Sequence, residues 1–221
     1  MPEAIVITPV KDSPETTEKT INEICQSDAE IDYFVFNDFS KKKKKKLLEE
    51  LKQKFKFNLV HLEDVTDNPS PNYKLVLEIA QKMAVEKKLP LIIIESDVII
   101  KPDTIKSLIK VNTENTKPGL IGAITTDKNG NYNFPYNFEK IKSFKTIKTS
   151  HSLSFCCTLL SADFLNNFDF KDLSQKKDWF DVSISRQAKK MGYNNYLAKG
   201  IRVQHLPHSS RPWKNLKYSN P

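Results

Sequence analysis

The chain has 221 residues, of which 38% are hydrophobic and 28% charged, and its formal net charge is +8. This composition is that of a globular protein, and the length suffices for one large domain or two small ones. No apolar stretch approaches the roughly 20 residues of a membrane-spanning helix, and no secretory signal opens the chain. The cysteines, Cys25, Cys156 and Cys157, are too few for a disulfide framework, so we expect a reduced, cytoplasmic setting.

The positive charge indicates an anionic partner: nucleic acid, an anionic membrane surface or a phosphorylated substrate. Six of the lysines form one run, 41–46, which leads into the amphipathic pattern of Leu47, Leu48 and Leu51. Two interpretations of this run stay open. It is either the solvated start of a helix or a peripheral contact with anionic lipid at the inner face of a membrane.

Predicted strands and helices alternate along the first half of the chain. We expect Pro9 to end the first strand, Ser13 to cap the first helix and Pro14 to occupy its first position. This alternation predicts a doubly wound parallel sheet with right-handed crossovers. The predicted elements are strands at 5–10, 31–36, 59–62 and 91–94, and helices at 14–24, 44–55, 73–86 and from 102 onward.

The second half is less regular, with a hairpin turn predicted at 128–131. Gly192 stands where a helix ends with a residue in the left-handed conformation. The chain has no Gly-x-Gly-x-x-Gly and no Walker motif, which argues against a dinucleotide site or a phosphate-loop enzyme. No repeat or linker divides the chain, so we expect one domain over 1–221. The other predicted elements are strands at 120–124, 153–160, 196–198 and 201–203 and a helix at 178–191.

The run Leu-Ile-Ile-Ile-Glu-Ser-Asp at 91–97 is the most informative motif. Its aliphatic part predicts a strand buried on both faces. On an extended chain, Glu95 and Asp97 would point the same way, at the carboxyl edge where open α/β sheets bind ligands. Two hard oxygen ligands there suit Mg²⁺ or Mn²⁺. The alternative is a polar strand end followed by a turn.

The segment from Asp181 to His205 carries a second pattern. An acidic residue opens an amphipathic helix, Gly192-Tyr193 follows, and a strand then leads to His205. This order resembles the acceptor-side signature of family 2 inverting glycosyltransferases with the A-type (GT-A) fold.

Two earlier motifs are similar to that family in the same order. Asn37-Asp38-Phe39-Ser40 looks like its Asp-Asp-Gly-Ser, and Glu95-Ser96-Asp97 stands where the family has Asp-x-Asp. Phe39 replaces the usual glycine, so we expect this loop to be shaped differently. The resemblance covers about residues 3–206.

The resemblance implies an α/β fold: a single GT-A-like domain with a mostly parallel central sheet, helices on both faces and a smaller mixed-sheet acceptor half. Residues of about 1–110 would bind the nucleotide-sugar donor, and those of about 111–221 the acceptor. The implied reaction is inverting transfer of a sugar to a hydroxyl of a glycan or lipid-linked glycan, in cell-surface glycan assembly. Nucleic acid is not an expected partner, and an oligomer is left open.

The resemblance also implies roles for individual residues. The cation would be Mn²⁺ or Mg²⁺, with His208 as an alternative ligand, and Trp179 and Phe180 would be either sugar-stacking faces or core. For Arg211 and Lys214, the alternative is that they belong to a solvated tail. The implied site residues are Pro9, Asp38 and Glu95 for base and ribose, Asp97 and His205 for the cation, Asp181 as general base, and Arg211 and Lys214 for the diphosphate.

Three other functions stay open. A nucleotidyltransferase would also place a metal and a nucleotide on an α/β sheet, although it usually carries a glycine-rich loop, and 8–13 contains no glycine. A basic module that binds polyanions would show steeply salt-dependent binding and no use of nucleotide sugars. The third alternative is a glycosyltransferase fold that has lost its activity.

Overall fold

The computed structural model describes residues 1–136, 145–174 and 179–206. In these ranges nine strands form one sheet in the order β3-β2-β1-β4-β8-β6-β9-β5, with β7 also paired to β9. The strands are β1 (Ala4–Val10), β2 (Ile31–Asn37), β3 (Asn58–His61), β4 (Leu91–Ile94), β5 (Val98–Ile99), β6 (Pro118–Thr126), β7 (Thr146–Lys148), β8 (Cys157–Leu160) and β9 (Asn194–His205). The helices are α1 (Pro14–Cys25), α2 (Lys42–Lys54), α3 (Tyr73–Lys87), α4 (Thr104–Glu114), α5 (Ala162–Asn167) and α6 (Phe180–Lys190).

The first half forms the predicted parallel sheet. Strands β3, β2, β1 and β4 lie side by side, and all three of their pairings are parallel. The chain leaves β1 for β2 and β3 on one side and then returns to β4 on the other. The carboxyl ends of β1 and β4 therefore flank the point where the strand order reverses, which is where open α/β sheets bind ligands.

Strand β1 ends at Val10, as the predicted range 5–10 has it, one residue after Pro9. The strand pairs with β2 as far as Val10 opposite Asn37. The Ile5 N–H donates to Pro90 on the β4 side, and the Val10 carbonyl accepts from Asp38 on the β2 side. Because successive residues of a strand face opposite neighbours, Pro9 faces the β4 side, beyond the last β1–β4 pair at Ile7. Because Pro9 has no N–H to donate toward β4, it cannot extend the β1–β4 ladder past Ile7, whereas the β1–β2 ladder continues to Val10.

The second half is the mixed sheet that the resemblance implies. Strand β8 runs antiparallel between β4 and β6, β6 and β9 are parallel, and β5 and β7 run antiparallel to β9. The two strands predicted at 196–198 and 201–203 are one strand, β9. It bulges around Gly200, since Ala198 pairs with Ala123 whereas Arg202 pairs with the next residue, Ile124.

The strand predicted at 153–160 is shorter than expected and begins at Cys157. Ser154 is the reason, because it closes a turn ahead of the strand. Its carbonyl accepts from the Thr158 hydroxyl at 2.6 Å, and its hydroxyl accepts from the Cys156 N–H at 3.4 Å. This turn brings Cys156 to the carboxyl edge of the parallel strands.

Helices cover both faces of the sheet, as predicted. Alternate residues of β4 enter opposite cores, because successive side chains of a strand point to opposite faces. Ile92 and Ile94 pack in the core formed with α1, α2 and α4, whereas Leu91 and Ile93 pack in the core formed with α3, α5 and α6. None of the helices in the described ranges combines the length and the apolar character needed to cross a membrane.

Two helix ends differ in how well they were predicted. Gly192, after α6, has a φ of 79°, as the left-handed end predicts. Ser13 stands at the N-cap position of α1, but its side chain does not cap the helix. Its hydroxyl instead lies 3.2 Å from the hydroxyl of Ser96, in the segment after β4.

Gly119 in β6 packs closely against α6 and against Tyr193, just after that helix. A Cβ at this position would lie 2.9 Å from the Tyr193 Cβ and 3.0 Å from the Ala188 Cβ. We expect Gly119→Ala to lower the free energy of unfolding by about 1–3 kcal/mol, because the sheet and helix must separate. Urea denaturation measures this. Gly130→Asn is the control, because Gly130 faces open space and asparagine tolerates its φ of 83°; equal stability of the two variants would contradict the packing argument.

Candidate functional site

The candidate site lies at one edge of the sheet. The carboxyl ends of β1, β2, β4 and β9 meet there, and so does the start of β8, because β8 runs in the opposite direction. Helices α3 and α6 also begin there, since each leads back to the start of a parallel strand. The side chains that this topology brings to the edge are those of Pro9, Asp38, Tyr73, Glu95, Asp97, Cys156, Asp181 and His205.

The segment after β4 is a turn and not an extended strand end. The strand stops at Ile94, and the Val98 N–H donates to the Glu95 carbonyl at 3.1 Å. The expectation of an extended chain from Glu95 to Asp97 is therefore wrong, although both carboxylates lie near His205. The pairing of β5 with β9 positions Asp97 instead, with Val98 opposite His205 and the Leu206 N–H bonded to the Asp97 carbonyl at 2.8 Å.

Asp97 and His205 form a buried pair. The Asp97 Oδ2 lies 3.4 Å from the His205 Nε2, and the two residues are only 1% and 6% exposed. The other ring nitrogen, Nδ1, lies 3.1 Å from the Phe134 carbonyl. Burial alone would lower the pKa of His205, but the Asp97 carboxylate, the Glu95 charge and the Phe134 carbonyl together raise it above its usual value.

Glu95 lies beside this pair and contacts Cys156. The Cys156 thiol donates to the Glu95 Oε2 at 3.4 Å, and the Glu95 N–H donates to the Cys156 carbonyl at 3.0 Å. Donor atoms of Glu95, Cys156 and His205 all lie within 4.8 Å of one another. A divalent cation fits this donor set, because carboxylate oxygen and imidazole nitrogen are ordinary ligands of Mn²⁺ and related ions.

Asp181 lies at the same edge, near Tyr73, whose pKa its charge affects together with that of Glu95. It opens α6, and its Oδ1 accepts from the Val182 N–H at 2.7 Å. Burial raises the pKa of Asp181, and this backbone N–H only partly offsets the effect. Burial also raises the pKa of Tyr73 well above its usual value, and the charges of Glu95 and Asp181 raise it further. The charges of Glu95 and Asp181 thus both act on the Tyr73 hydroxyl.

Tyr73 and Cys156 are site residues that the sequence did not reveal as such. The Tyr73 ring stacks on Phe180 at a centroid distance of 6.1 Å, and its hydroxyl is buried without a hydrogen bond to any described residue. No spacing signal could have found either residue. Tyr73 reads as the first residue of an amphipathic helix, and Cys156 reaches the edge only because β8 is antiparallel.

Asp38 holds the start of α3. Its carboxylate accepts from the Ser70 hydroxyl at 2.6 Å, the Asn72 N–H at 3.0 Å and the Asn72 side-chain amide at 2.9 Å. Its contact with a nucleotide base stays a prediction. Phe39, where a different loop shape was expected, has a φ of 53°, in the region that favours glycine. The backbone therefore takes a glycine-like conformation in spite of the phenylalanine.

Polar contacts join the loops after β1 and β2 at this edge. The Asp12 N–H donates to the Ser40 hydroxyl at 3.0 Å, and the Asp12 Oδ1 accepts from the Lys41 N–H at 2.8 Å. The Lys11 ammonium donates to the Phe39 carbonyl at 2.6 Å. The loop that follows Pro9 and β1 is thus held in place by the loop after β2.

Several remaining sequence predictions concern surface groups. Trp179 is 72% exposed whereas Phe180 is buried, so Phe180 is a core residue and Trp179 is not. The lysine run is partly neutralised, because Lys44, Lys45 and Lys46 pair with acidic side chains. Contact with a membrane stays a prediction.

The residues predicted to contact the diphosphate are in the C-terminal part of the sequence. Arg211, Lys214 and the alternative cation ligand His208 fall outside the described residues.

The family is established by sequence comparison. The model of glycosyl transferase family 2 matches residues 5–168, which is more than half of the chain. The chain therefore belongs to this family, as the resemblance indicated. No match is found among curated proteins. Family membership favours a glycosyltransferase over a nucleotidyltransferase or a polyanion-binding module.

Solved structures agree on the fold at low sequence identity. The mannosyltransferase PcManGT from Pyrobaculum calidifontis, in complex with GDP-Man and Mn²⁺, is 14% identical with a TM-score of 0.65, covering 96% of this chain and 60% of its own. S. aureus TarS with UDP-GlcNAc is 14% identical with a TM-score of 0.68, covering 94% and 59%. GalNAc-T7 with UDP, GalNAc and Mn²⁺ is 12% identical with a TM-score of 0.66, covering 94% and 44%. The chain thus spans about three-fifths or less of the length of these proteins, and the predicted GT-A-like fold is confirmed.

The contacts of Asp38 generate a stability prediction. We expect Asp38→Ala to lower the free energy of unfolding of the ligand-free protein by about 1–3 kcal/mol, because three buried or half-buried donors lose their acceptor. Chemical denaturation without nucleotide measures this. Asp28→Ala, at an exposed aspartate, is the matched control. An Asp38→Ala protein as stable as this control would show that the carboxylate does not support the start of α3.

Proposed function

We propose that this chain is a metal-dependent inverting glycosyltransferase that moves a sugar from a nucleotide-sugar donor to a hydroxyl acceptor. One observation carries the proposal. In a member of glycosyl transferase family 2, a half-buried acid, Asp181, shares one sheet edge with the buried pair of Asp97 and His205. These are the groups that a displacement at a sugar carbon requires: a base for the acceptor and a charged anchor for the leaving group.

The donor would lie across the ends of β1, β2 and β4. Pro9, Asp38 and Glu95 would face base and ribose, and Arg211 and Lys214 would contact the diphosphate as a fork and a point charge. Complexes of the structural neighbours with GDP-Man and UDP-GlcNAc support this donor class.

Asp97 and His205, with Glu95 beside them, would hold the divalent cation, Mn²⁺ or Mg²⁺. When bound, this ion supplies Lewis-acid stabilisation of the charge on the leaving nucleoside diphosphate. Mn²⁺ in the PcManGT and GalNAc-T7 complexes supports this choice of ion. The chain's own contribution is a preorganised pair, because the pairing of β5 with β9 holds the turn that carries Asp97 against the end of β9, where His205 lies.

Asp181 would act as the general base. It takes the proton of the acceptor hydroxyl while that oxygen bonds to the anomeric carbon, and the bond from that carbon to the diphosphate oxygen breaks on the opposite face. A single displacement inverts the anomeric centre. A base whose pKa is raised by burial accepts a proton more readily near neutral pH than an exposed aspartate does.

The acceptor would be a glycan or a lipid-linked glycan, with the reaction in cell-surface glycan assembly at the cytoplasmic side of a membrane. Trp179 supports a sugar acceptor. It is exposed, directly precedes the helix that Asp181 opens, and offers a flat apolar face to a sugar ring.

The role of Asp181 separates activity from stability. We expect Asp181→Asn to reduce turnover by roughly 10²–10⁴-fold, because the base is lost. The folded-state pKa of this acid is raised, so its charged form opposes folding at a pH above that value, and asparagine removes this penalty. The variant should therefore melt at the same temperature or higher, and bind nucleotide normally. Asp172→Asn, at an exposed aspartate, should change neither property; near-normal turnover of Asp181→Asn would refute the base assignment.

Nucleotide binding tests the proposed function as a whole. We would titrate the protein with UDP, GDP, CDP and dTDP by calorimetry, each with and without Mn²⁺. Mn²⁺-dependent binding of one nucleotide, abolished by Asp97→Ala, is the expected result, because that variant loses the carboxylate beside His205. Unchanged Mn²⁺-dependent binding in Asp97→Ala would remove the metal role of Asp97. If none of the four nucleotides binds, the proposed glycosyltransferase function is contradicted.

A further inference from the structure

A thiol lies among the groups proposed to hold the cation. Cys156 is buried, and its Sγ is 3.4 Å from the Glu95 Oε2. The donor atoms of Cys156, Glu95 and His205 lie within 4.8 Å of one another. The family resemblance implies oxygen and nitrogen ligands at this edge and no sulfur, so Cys156 is a feature of this chain that the proposed function does not use.

The spacing of these atoms suits one small ion. A four-coordinate zinc ion with ligands at about 2.0–2.3 Å keeps its donor atoms about 3.3–3.8 Å apart. The Cys156–Glu95 distance of 3.4 Å already lies in this range. So does the distance of 3.4 Å between His205 and Asp97. The donor atoms of Glu95, Cys156 and His205 all lie within 4.8 Å of one another, so bringing any pair into this range needs a movement of at most about 1 Å, which side-chain rotation provides.

His205 is oriented for ligation through Nε2. Its Nδ1 is directed at the Phe134 carbonyl, 3.1 Å away, and a carbonyl accepts a hydrogen bond only from a protonated nitrogen. In the neutral ring, Nε2 then carries the lone pair. A backbone carbonyl on the second ring nitrogen is the usual support of a metal-binding histidine, since it fixes both tautomer and ring orientation.

We infer that Cys156 is a ligand of the cation at this edge, together with Glu95 and His205, and that its sulfur increases the preference for Zn²⁺ and Co²⁺ over Mn²⁺ that nitrogen and oxygen ligands already give. The inference deepens the proposed function, on which it rests for the position of the cation. Thiolate and imidazole favour Zn²⁺, whereas carboxylates alone suit Mg²⁺ and Mn²⁺. The thiol proton leaves to solvent on binding, because the thiolate is the ligand.

Cobalt reports directly on sulfur ligation. We would titrate the reduced, metal-free protein with Co²⁺ and record the near-ultraviolet sulfur-to-cobalt charge-transfer band and the visible bands of a four-coordinate ion. Cys156→Ser should lose the charge-transfer band and bind Zn²⁺ at least about 10-fold more weakly, since even the loss of a partner behind a ligand costs about 10–100-fold. Cys157→Ser is the matched control. Its thiol belongs to the next residue, in β8, and is outside the cluster, so this variant should keep the band.

A measurement on the unsubstituted protein guards against a variant that fails to fold. X-ray absorption of the Zn²⁺-loaded protein should show one sulfur at about 2.3 Å together with nitrogen and oxygen neighbours. A zinc shell of nitrogen and oxygen alone would overturn the inference. So would a charge-transfer band that survives in Cys156→Ser.

The two proposals fail in different ways. Mn²⁺-dependent binding of nucleoside diphosphate without any sulfur ligation would overturn the thiolate and leave the transferase intact. Sulfur ligation of Co²⁺ without Mn²⁺-dependent nucleotide binding would support the thiolate and count against the proposed function.

Discussion

The burial of Asp97 is the constraint on which the site depends. A carboxylate that is 1% exposed is costly to keep charged unless an opposite charge or hydrogen bonds compensate for the lost water. His205 supplies that compensation, and the β5–β9 pairing holds the two side chains at a fixed separation. Two residues of strand, Val98 and Ile99, thus tie the turn after β4 to the end of β9.

The loops after β1 and β2 are also held in place by specific contacts at this edge of the sheet. Asp12 and Phe39 both have a φ of 53°, which costs a non-glycine residue of the order of 1–3 kcal/mol. A residue other than glycine keeps such a positive φ only where surrounding contacts hold the backbone in that conformation. The contacts from Ser40 and Lys41 to Asp12, and from Lys11 to the Phe39 carbonyl, provide such surroundings. The edge is therefore shaped before a ligand arrives, which lowers the entropy cost of binding one.

The sequence predicted the architecture well because strand and helix periods are local properties. The aliphatic run of β4 and the alternation of the first half were sufficient for the parallel sheet, and the family motifs placed Asp97, Asp181 and His205 at one edge. The buried face of α3 was harder to predict. Leu75, Ile79 and Met83 have helical spacing, and Ile79 and Met83 pack against the core while partly buried. The fully buried apolar residues, however, are Val76, Leu77, Ala80 and Ala84, on the side of α3 that contacts β1 and α5.

Other features could not be predicted because they arise from distant pairings. Strand β5 is too short to leave a signal in the sequence, so the route by which Asp97 reaches His205 was invisible. Cys156 was noted only for its redox meaning, because the antiparallel insertion of β8 has no local signature. The roles of Pro9, Asp38 and Glu95 toward a nucleotide stay predictions, as do those of Arg211 and Lys214 outside the described residues.

The position of His205 at the end of the last described strand has a consequence for synthesis on the ribosome. Chains emerge N-terminus first, and the parallel half, β1 to β4, can assemble while β9 is still within the exit tunnel. Throughout that interval Asp97 lacks its histidine and stays hydrated. A cation site that uses His205, as proposed above, would therefore be completed only late in synthesis, so metal binding would follow folding of the parallel half and would not nucleate it.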